Sequence, residues 1–366
     1  MSGISGLVRR WVTVAVFCGA ATPASAQGQA APASPPQPDA GAIRVGVAIF
    51  ADYTSQHEPK ARDVDGNEIT PNAFNIGRAY VNVTGTVANR VAFRVTPDIV
   101  RETGAGSSVA GSYVIRLKYA YGQFILDDWM NRGSFVRFGM QPTPWIDFID
   151  SVYRYRFQGP TFEDREGILS SSDVGATFRY VFGGNYGDVH TGFYNGDNYN
   201  RVEANDQKAL MIRATVRPLA GHAGLGGIRL TGFYDHDAYV RNAERRRAIA
   251  GVTYEHARVN AGANYLATSD RERAAAAAVS GRGLSIWATP KAANGWEVVL
   301  RFDRLQPDTD LDGRKTRAIA GVAYWFPTAG TRTAALLLDV EGVRYRGHLS
   351  DRRAERRVAV HMLVNF

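Results

Sequence analysis

The stretch "NRVAFRVTPD" puts Val91, Phe93 and Val95 on one parity and Arg90, Ala92, Arg94 and Thr96 on the other. Successive side chains of a strand point to opposite faces, so this run has one apolar face and one that carries guanidinium groups in mid-strand. Two further runs repeat the feature. In "SYVIRLKYAYGQF", Ile115, Leu117, Tyr119 and Tyr121 oppose Arg116, Lys118 and Ala120; in "DVGATFRYVF", Val174, Ala176, Phe178 and Tyr180 oppose Thr177 and Arg179. A dry core cannot hold so many cations without partners. The charged side therefore needs a wet interior, and the apolar side a hydrocarbon or protein cover.

Segments of this kind recur beyond residue 43, with centres near 48, 79, 94, 118, 137, 178, 191, 212, 231, 251, 262, 286, 300, 321, 339 and 360. The spacing predicts an all-β chain: a transmembrane, antiparallel, up-and-down β-barrel of about sixteen strands, an even number as outer-membrane barrels require. The first connections alternate in length. Residues 55–72, 101–112 and 142–172 are long, and 86–89, 127–133 and 183–187 are short. Long outer loops and short periplasmic turns give this rhythm, with both ends in the periplasm. Closure also satisfies edge hydrogen bonds that an open sheet would leave bare in lipid. A soluble sandwich is the competing reading, but the aromatic residues at strand ends, Tyr53, Trp296, Trp325 with Phe326, and Phe366, suit interfacial girdles. The last run, "RRVAVHMLVNF", keeps Val358, Val360, Met362, Val364 and Phe366 on one parity against Arg357, Ala359, His361 and Asn365. Phe366 is expected to end the closing strand beside the first one.

The opening "MSGISGLVRRWVTVAVFCGAATPASAQG" has Arg9 and Arg10, an apolar run from Trp11, and the small-residue exit Ala24, Ser25, Ala26. It reads as a secretory signal, residues 1–26, too short to span a bilayer. Residues 27–42 are rich in Pro and Ala and read as a flexible leader, which leaves 43–366 for the barrel. The single cysteine, Cys18, lies in the signal, so disulfides, a thiol nucleophile and cysteine metal sites are excluded from the mature chain. Without the signal the formal net charge falls from +8 by the two arginines that it carries. Lysine occurs only at Lys60, Lys118, Lys208, Lys291 and Lys315, so nearly all of the 43 basic residues are Arg. The planar guanidinium fork suits phosphate and carboxylate, although a GC-rich genome gives the same bias.

Strand parity assigns Arg78, Arg90, Arg94, Arg116, Lys118, Arg137, Arg179, Arg213 and Arg229 to the interior. A row of cations in a narrow tube would concentrate anions and lower their barrier to passage. Glu297, Asp303, Asp339 and Glu341 share the interior parity on late strands, so a basic wall could face an acidic one. Three clusters fall in expected outer loops: Arg241 with Arg245, Arg246 and Arg247; Arg271 with Arg273; and Arg352, Arg353, Arg356 and Arg357. They could funnel anions or grip phosphates of outer-leaflet lipid and lipopolysaccharide. "DTDLDG" opens like a calcium loop, but its twelfth position is Ile319, and it reads as a solvated loop. Neither an HExxH pair nor a GxSxG elbow is present, so no enzyme is expected. No cofactor or nucleic-acid partner is expected either.

The long stretch "FGMQPTPWIDFIDSVYRYRFQGPTFEDREGILSSSDVGA", with "FNIGRAYVNVTG", "RLKYAYGQF", "VHTGFYNG", "DQKALMIRATVRP", "LTGFYDHD" and "IAGVAYWFP", resembles the phosphate-selective porin O and P family. The likeness runs over most of residues 43–366. It implies a homotrimer of sixteen-stranded barrels in a Gram-negative outer membrane, with the third outer loop folded into the lumen and small anions passing an Arg- and Lys-lined channel. On that loop it places Arg154, Arg156 and Arg165, which join Arg90, Arg94, Arg116, Lys118, Arg137 and Arg179 as the expected anion path. A weakly selective general porin is the alternative, and a non-conducting barrel for adhesion or lipid hydrolysis a further one. A plugged, energy-coupled transporter would need about 22 strands, too many for this length.

Overall fold

Period-two alternation needs strands, and the strands need partners on both edges. The computed structural model describes residues 42–366 apart from 105, 204, 239 and 331. The expected signal peptide, and all but the last residue of the expected leader, lie outside the described residues. The chain begins with β1 (Ile43–Glu58), a small separate hairpin of β2 (Ala61–Arg62) and β3 (Glu68–Ile69), then β4 (Asn72–Ala88), β5 (Val91–Arg101), β6 (Tyr113–Ile125) and β7 (Phe135–Pro142). After a helical loop come β8 (Ser172–Val181), β9 (Gly187–Tyr194), β10 (Ala209–Val216), β11 (Ile228–Ala238), β12 (Glu244–His256) and β13 (Val259–Asp270). The rest are β14 (Val279–Pro290), β15 (Trp296–Gln306), β16 (Gly313–Trp325), β17 (Thr333–Gly347) and β18 (Glu355–Asn365). Sequence neighbours pair antiparallel throughout, and β1 pairs with both β4 and β18. The sheet is a closed barrel of sixteen strands.

Each expected strand centre falls inside one of these strands. The faces also fall as the alternation requires. On β10, Met211, Arg213 and Thr215 are buried inward while Ile212 and Val216 are exposed outward. On β18, Val360, Met362 and Val364 face out, and Ala359, His361 and Leu363 face in. Phe366 is held by its main chain: its N–H donates to Val47 O at 2.9 Å, and the Val47 N–H donates to Phe366 O at 3.0 Å.

Three features depart from the sequence reading. The β5–β6 register passes from Thr96↔Tyr119 to Pro97↔Leu117, so Lys118 is an extra residue on its strand. This bulge turns Tyr119 and Tyr121 inward, beside Thr96 and Arg94, instead of outward with Ile115 and Leu117. Trp325 is not in a girdle. It lies inside, its ring centroid 5.7 Å from that of Tyr155; Trp296 and Phe326 remain exposed as expected. Finally, the long and short rhythm fades, because the turn at 217–227 is longer than the loop at 239–243.

Candidate functional site

The connection at 143–171 folds into the barrel, and its sequence explains how. It holds α1 (Pro144–Tyr153) and α2 (Phe162–Arg165). Pro144 occupies the first turn of α1, where its missing N–H costs nothing. Trp145, Ile146, Ile149, Val152 and Tyr153 make one buried face at helical spacing. Arg154, in the left-handed region with φ 67°, ends the helix. The buried face packs on Phe233, Ile249, Leu266 and Trp287 of β11–β14, with Val299 and Leu337 in the same cluster. Glycine makes room for it: a Cβ at Gly283 would lie 2.6 Å from the Phe162 ring.

Polar anchors complete the attachment. Tyr155 donates to Glu297 at 2.8 Å and accepts from Trp325 Nε1 at 2.9 Å. Gln158 donates to Asp339 at 2.7 Å, Arg165 to Glu341 at 2.9 Å, and Lys315 to Glu166 at 2.7 Å. Glu341 also receives Arg357 at 2.6 Å and Arg317. Asp303 is taken by Arg301 at 2.8 Å. The four late-strand acids thus tether the loop or pair beneath it. They do not form an open acidic wall.

The loop's other side faces β4–β6, and there the balance is reversed. Arg78 and Arg116 share one carboxylate, Asp98, at 2.5 and 3.1 Å. Arg179 and Arg213 share Asp188, the first at 2.9 Å. Among the described residues Arg94, Lys118 and Arg137 form no salt bridge. Arg94 donates to Thr96 at 3.0 Å and Asn82 at 2.8 Å, and Arg137 donates to Gln123 at 2.7 Å. Lys118 donates to Ser171 and lies 3.9 Å from the centroid of Tyr199, a residue of the next loop. Of these seven inward cations on β4–β10, four share the two carboxylates Asp98 and Asp188, and three have no carboxylate partner. A gap of about 120 Å³ separates wall from loop, lined by Tyr80, Arg94, Lys118, Tyr119, Asp150, Arg156 and Ser171.

A closed barrel of sixteen strands, narrowed by its third long loop, has clear counterparts among solved structures. The fold is that of the porin-like outer-membrane barrels. The chain is similar to an anion-selective porin from Comamonas acidovorans (11% identity, TM-score 0.61, 89% of this chain and 99% of that one). It is similar also to a loop-deletion form of OmpT, an outer membrane protein of Vibrio cholerae (13%, 0.60, 90% and 100%). A third likeness is to the outer membrane channel DcaP of Acinetobacter baumannii (12%, 0.59, 88% and 97%). No family model and no curated relative matches the chain.

Within this porin-like barrel the expected path residues separate into groups. Arg94, Arg116, Lys118, Arg137 and Arg179 sit on the inner wall, as parity required. Arg90 does not. It falls in the two-residue turn between β4 and β5 and pairs with Asp128 at 2.5 Å, because β4 runs on to Ala88 and β5 begins only at Val91. The loop arginines diverge. Arg154 stacks over Trp325 at 4.3 Å and lies 3.5 Å from Glu297, whereas Arg156 joins Asp164 and lies 3.6 Å from Asp150 beside the cationic wall. Arg165, with an 8% exposed side chain, is an anchor and not a path residue. Three expected mouth arginines also point inward, paired: Arg245 with Asp237, Arg247 with Asp270, and Arg357 with Glu341. Tyr80, Asp98, Asp150 and Tyr199 were missed as site residues. Tyr80 shares the inward parity of Arg78, a signal that was available.

Burial opposes the charge of Arg156, but Asp150 and Asp164 outweigh it and raise its pKa. Burial raises that of Asp150, with Arg156 opposing. Burial also pushes the Glu163 carboxyl from 4.5 up to about 7, even though Asn264 donates to it at 2.5 Å and Arg301 lies near. The docked loop therefore holds a proton that the undocked one releases. That contribution is complete below pH 4.5 and is lost as pH rises through about 7. Across this window Glu163's own share of the stability should fall by about 3 kcal/mol, read as the difference between the unfolding-versus-pH profiles of the wild type and a variant that cannot titrate there. Glu163→Gln should flatten the profile by that share, and an unchanged slope would remove Glu163 as its source.

Proposed function

We propose that the chain is a passive outer-membrane porin that favours small anions, with phosphate and other oxyanions among them. The observation that carries this reading is the cation excess on β4–β10, where Arg94, Lys118 and Arg137 lack carboxylate partners on the wall facing the loop. Guanidinium and ammonium groups can replace part of an anion's hydration shell, and several weak sites in series allow release. The neighbours described as porins and channels support the class, and the one described as anion-selective supports the preference. The proposal includes a Gram-negative outer-membrane location reached through the N-terminal signal, and a homotrimer, in keeping with the trimer form of OmpT among the similar structures.

Asp147 and Asp150 on the loop favour a second, weakly selective reading. Asp150 is drawn toward Arg156, so the loop offsets the wall only in part. Phosphate added to a single channel carrying chloride should reduce the current in a saturable way, more than sulfonate buffer anions do. A current indifferent to phosphate would leave anion preference without any oxyanion site.

A further inference from the structure

The outward face of the barrel is not uniform at its long-loop end. On β4–β9 the exposed outward positions near that end include the apolar Phe74, Ile115, Phe138 and Phe193, and the arginine there, Arg101, donates to Gly111 O and lies over the Tyr113 ring. On β14–β17 they are arginines. Arg282, Arg304, Arg344 and Arg346 are exposed, Arg314 is half-buried, and the residues flanking them on the inner parity, such as Gly283, Asp303, Arg317 and Val343, are buried.

Register gathers these side chains. Arg304 and Arg344 lie on either side of Thr316, and Arg314 stands directly opposite Arg346. Like charges directly opposite on one sheet face destabilise it unless an anion lies between them. The protein supplies little. Asp312 is 3.7 Å from Arg314, Arg282 donates to Gln306, and among the described residues Arg304, Arg344 and Arg346 form neither a side-chain hydrogen bond nor an ion pair. Strands lie about 4.8 Å apart, so the five groups span roughly 15 Å, the width of a sugar headgroup. Below them, toward the membrane centre, Ile286, Leu300, Phe302, Leu338 and Val340 are exposed and apolar. Cations above an apolar strip fit an amphiphile whose phosphates sit at the bilayer surface.

We propose that this face of β14–β17 is a docking surface for a phosphorylated glycolipid of the outer leaflet, its phosphates held by Arg304, Arg314, Arg344 and Arg346. The proposal rests on the outer-membrane placement argued above, but not on ion selectivity. It moves the lipid contact from the loop clusters to strand ends, where parity turns arginine outward.

The test uses the folded chain in neutral detergent, titrated with purified diphosphorylated lipid A and followed by native mass spectrometry. The triple variant R304S/R344S/R346S should bind roughly a hundredfold more weakly. The corresponding lysine variant should recover most of that loss, since it keeps the charge and the sheet. Equal binding by the serine variant would overturn the proposal, as would failure of lysine to restore binding. So would wild-type binding of phosphatidylglycerol as tight as that of lipid A, or displacement of the lipid by inorganic phosphate at comparable concentration. Chloride current recorded in the same preparations separates the two readings: an absent current counts against the porin, and lost lipid binding with intact current counts against the docking surface.

Discussion

Replacing both Arg94 and Arg137 with Glu should turn an anion-favouring channel into a cation-favouring one. Both groups face the lumen without a carboxylate partner, so each substitution changes the local charge by two units and relieves no existing pair. At about 4 Å a unit charge acts on a passing ion with about 1 kcal/mol in water and more beside a low-dielectric wall. Four units of change then correspond to at least a hundredfold swing in the anion-to-cation permeability ratio. The zero-current potential across a potassium chloride gradient should change sign in the double variant. Arg78 and Arg179 are poorer choices, since each shares an aspartate with a second arginine that would partly compensate. A double variant with wild-type potential would mean that ions pass elsewhere in the lumen.

The second large effect concerns the loop's attachment. Glu341 has a 4% exposed side chain and receives Arg165, Arg317 and Arg357, together with Gln158 at 3.1 Å. Glu341→Ala would leave three guanidinium groups without their shared counterion. Breaking a buried pair by removing one partner typically costs about 3–5 kcal/mol. The melting temperature should fall, and with one tether lost the loop should move more, so single-channel current should become larger and noisier. Glu341→Gln should give the same direction with a smaller change, because it retains hydrogen bonds but not charge. Unchanged melting and quiet current in the alanine variant would show that the aromatic contacts of Trp145 and Tyr155 hold the loop by themselves.

How far the residues alone reach is clearest on the strands. Period-two alternation located every barrel strand and the inward face of Arg94, Arg137 and Arg179, because a wet interior and an oily exterior impose opposite demands at each step. It failed where one residue is inserted. The bulge at Lys118 reverses parity for Tyr119 and Tyr121, and nothing local in "RLKYAYG" announces it. Parity also reports only the face, not what covers it. Glu297, Asp339 and Glu341 were rightly placed inside, yet the loop lies over them and takes up their charge. Trp325 looked like a girdle residue because it ends a strand; its inward parity, and the aromatic loop waiting there, decided otherwise. The arginines on β14–β17 were overlooked for the converse reason, as an outward cation near a strand end carries no signal until register sets it beside others.

The measurement that tests the central claim most directly is the zero-current potential of the wild-type protein in a planar bilayer separating two potassium chloride concentrations. A wall on which Arg94, Lys118 and Arg137 have no acidic partner predicts a potential of the sign set by chloride, shrinking as ionic strength rises and screening shortens. A potential near zero, or one of the sign set by potassium, would contradict it and would assign the dominant field to Asp147 and Asp150 on the loop.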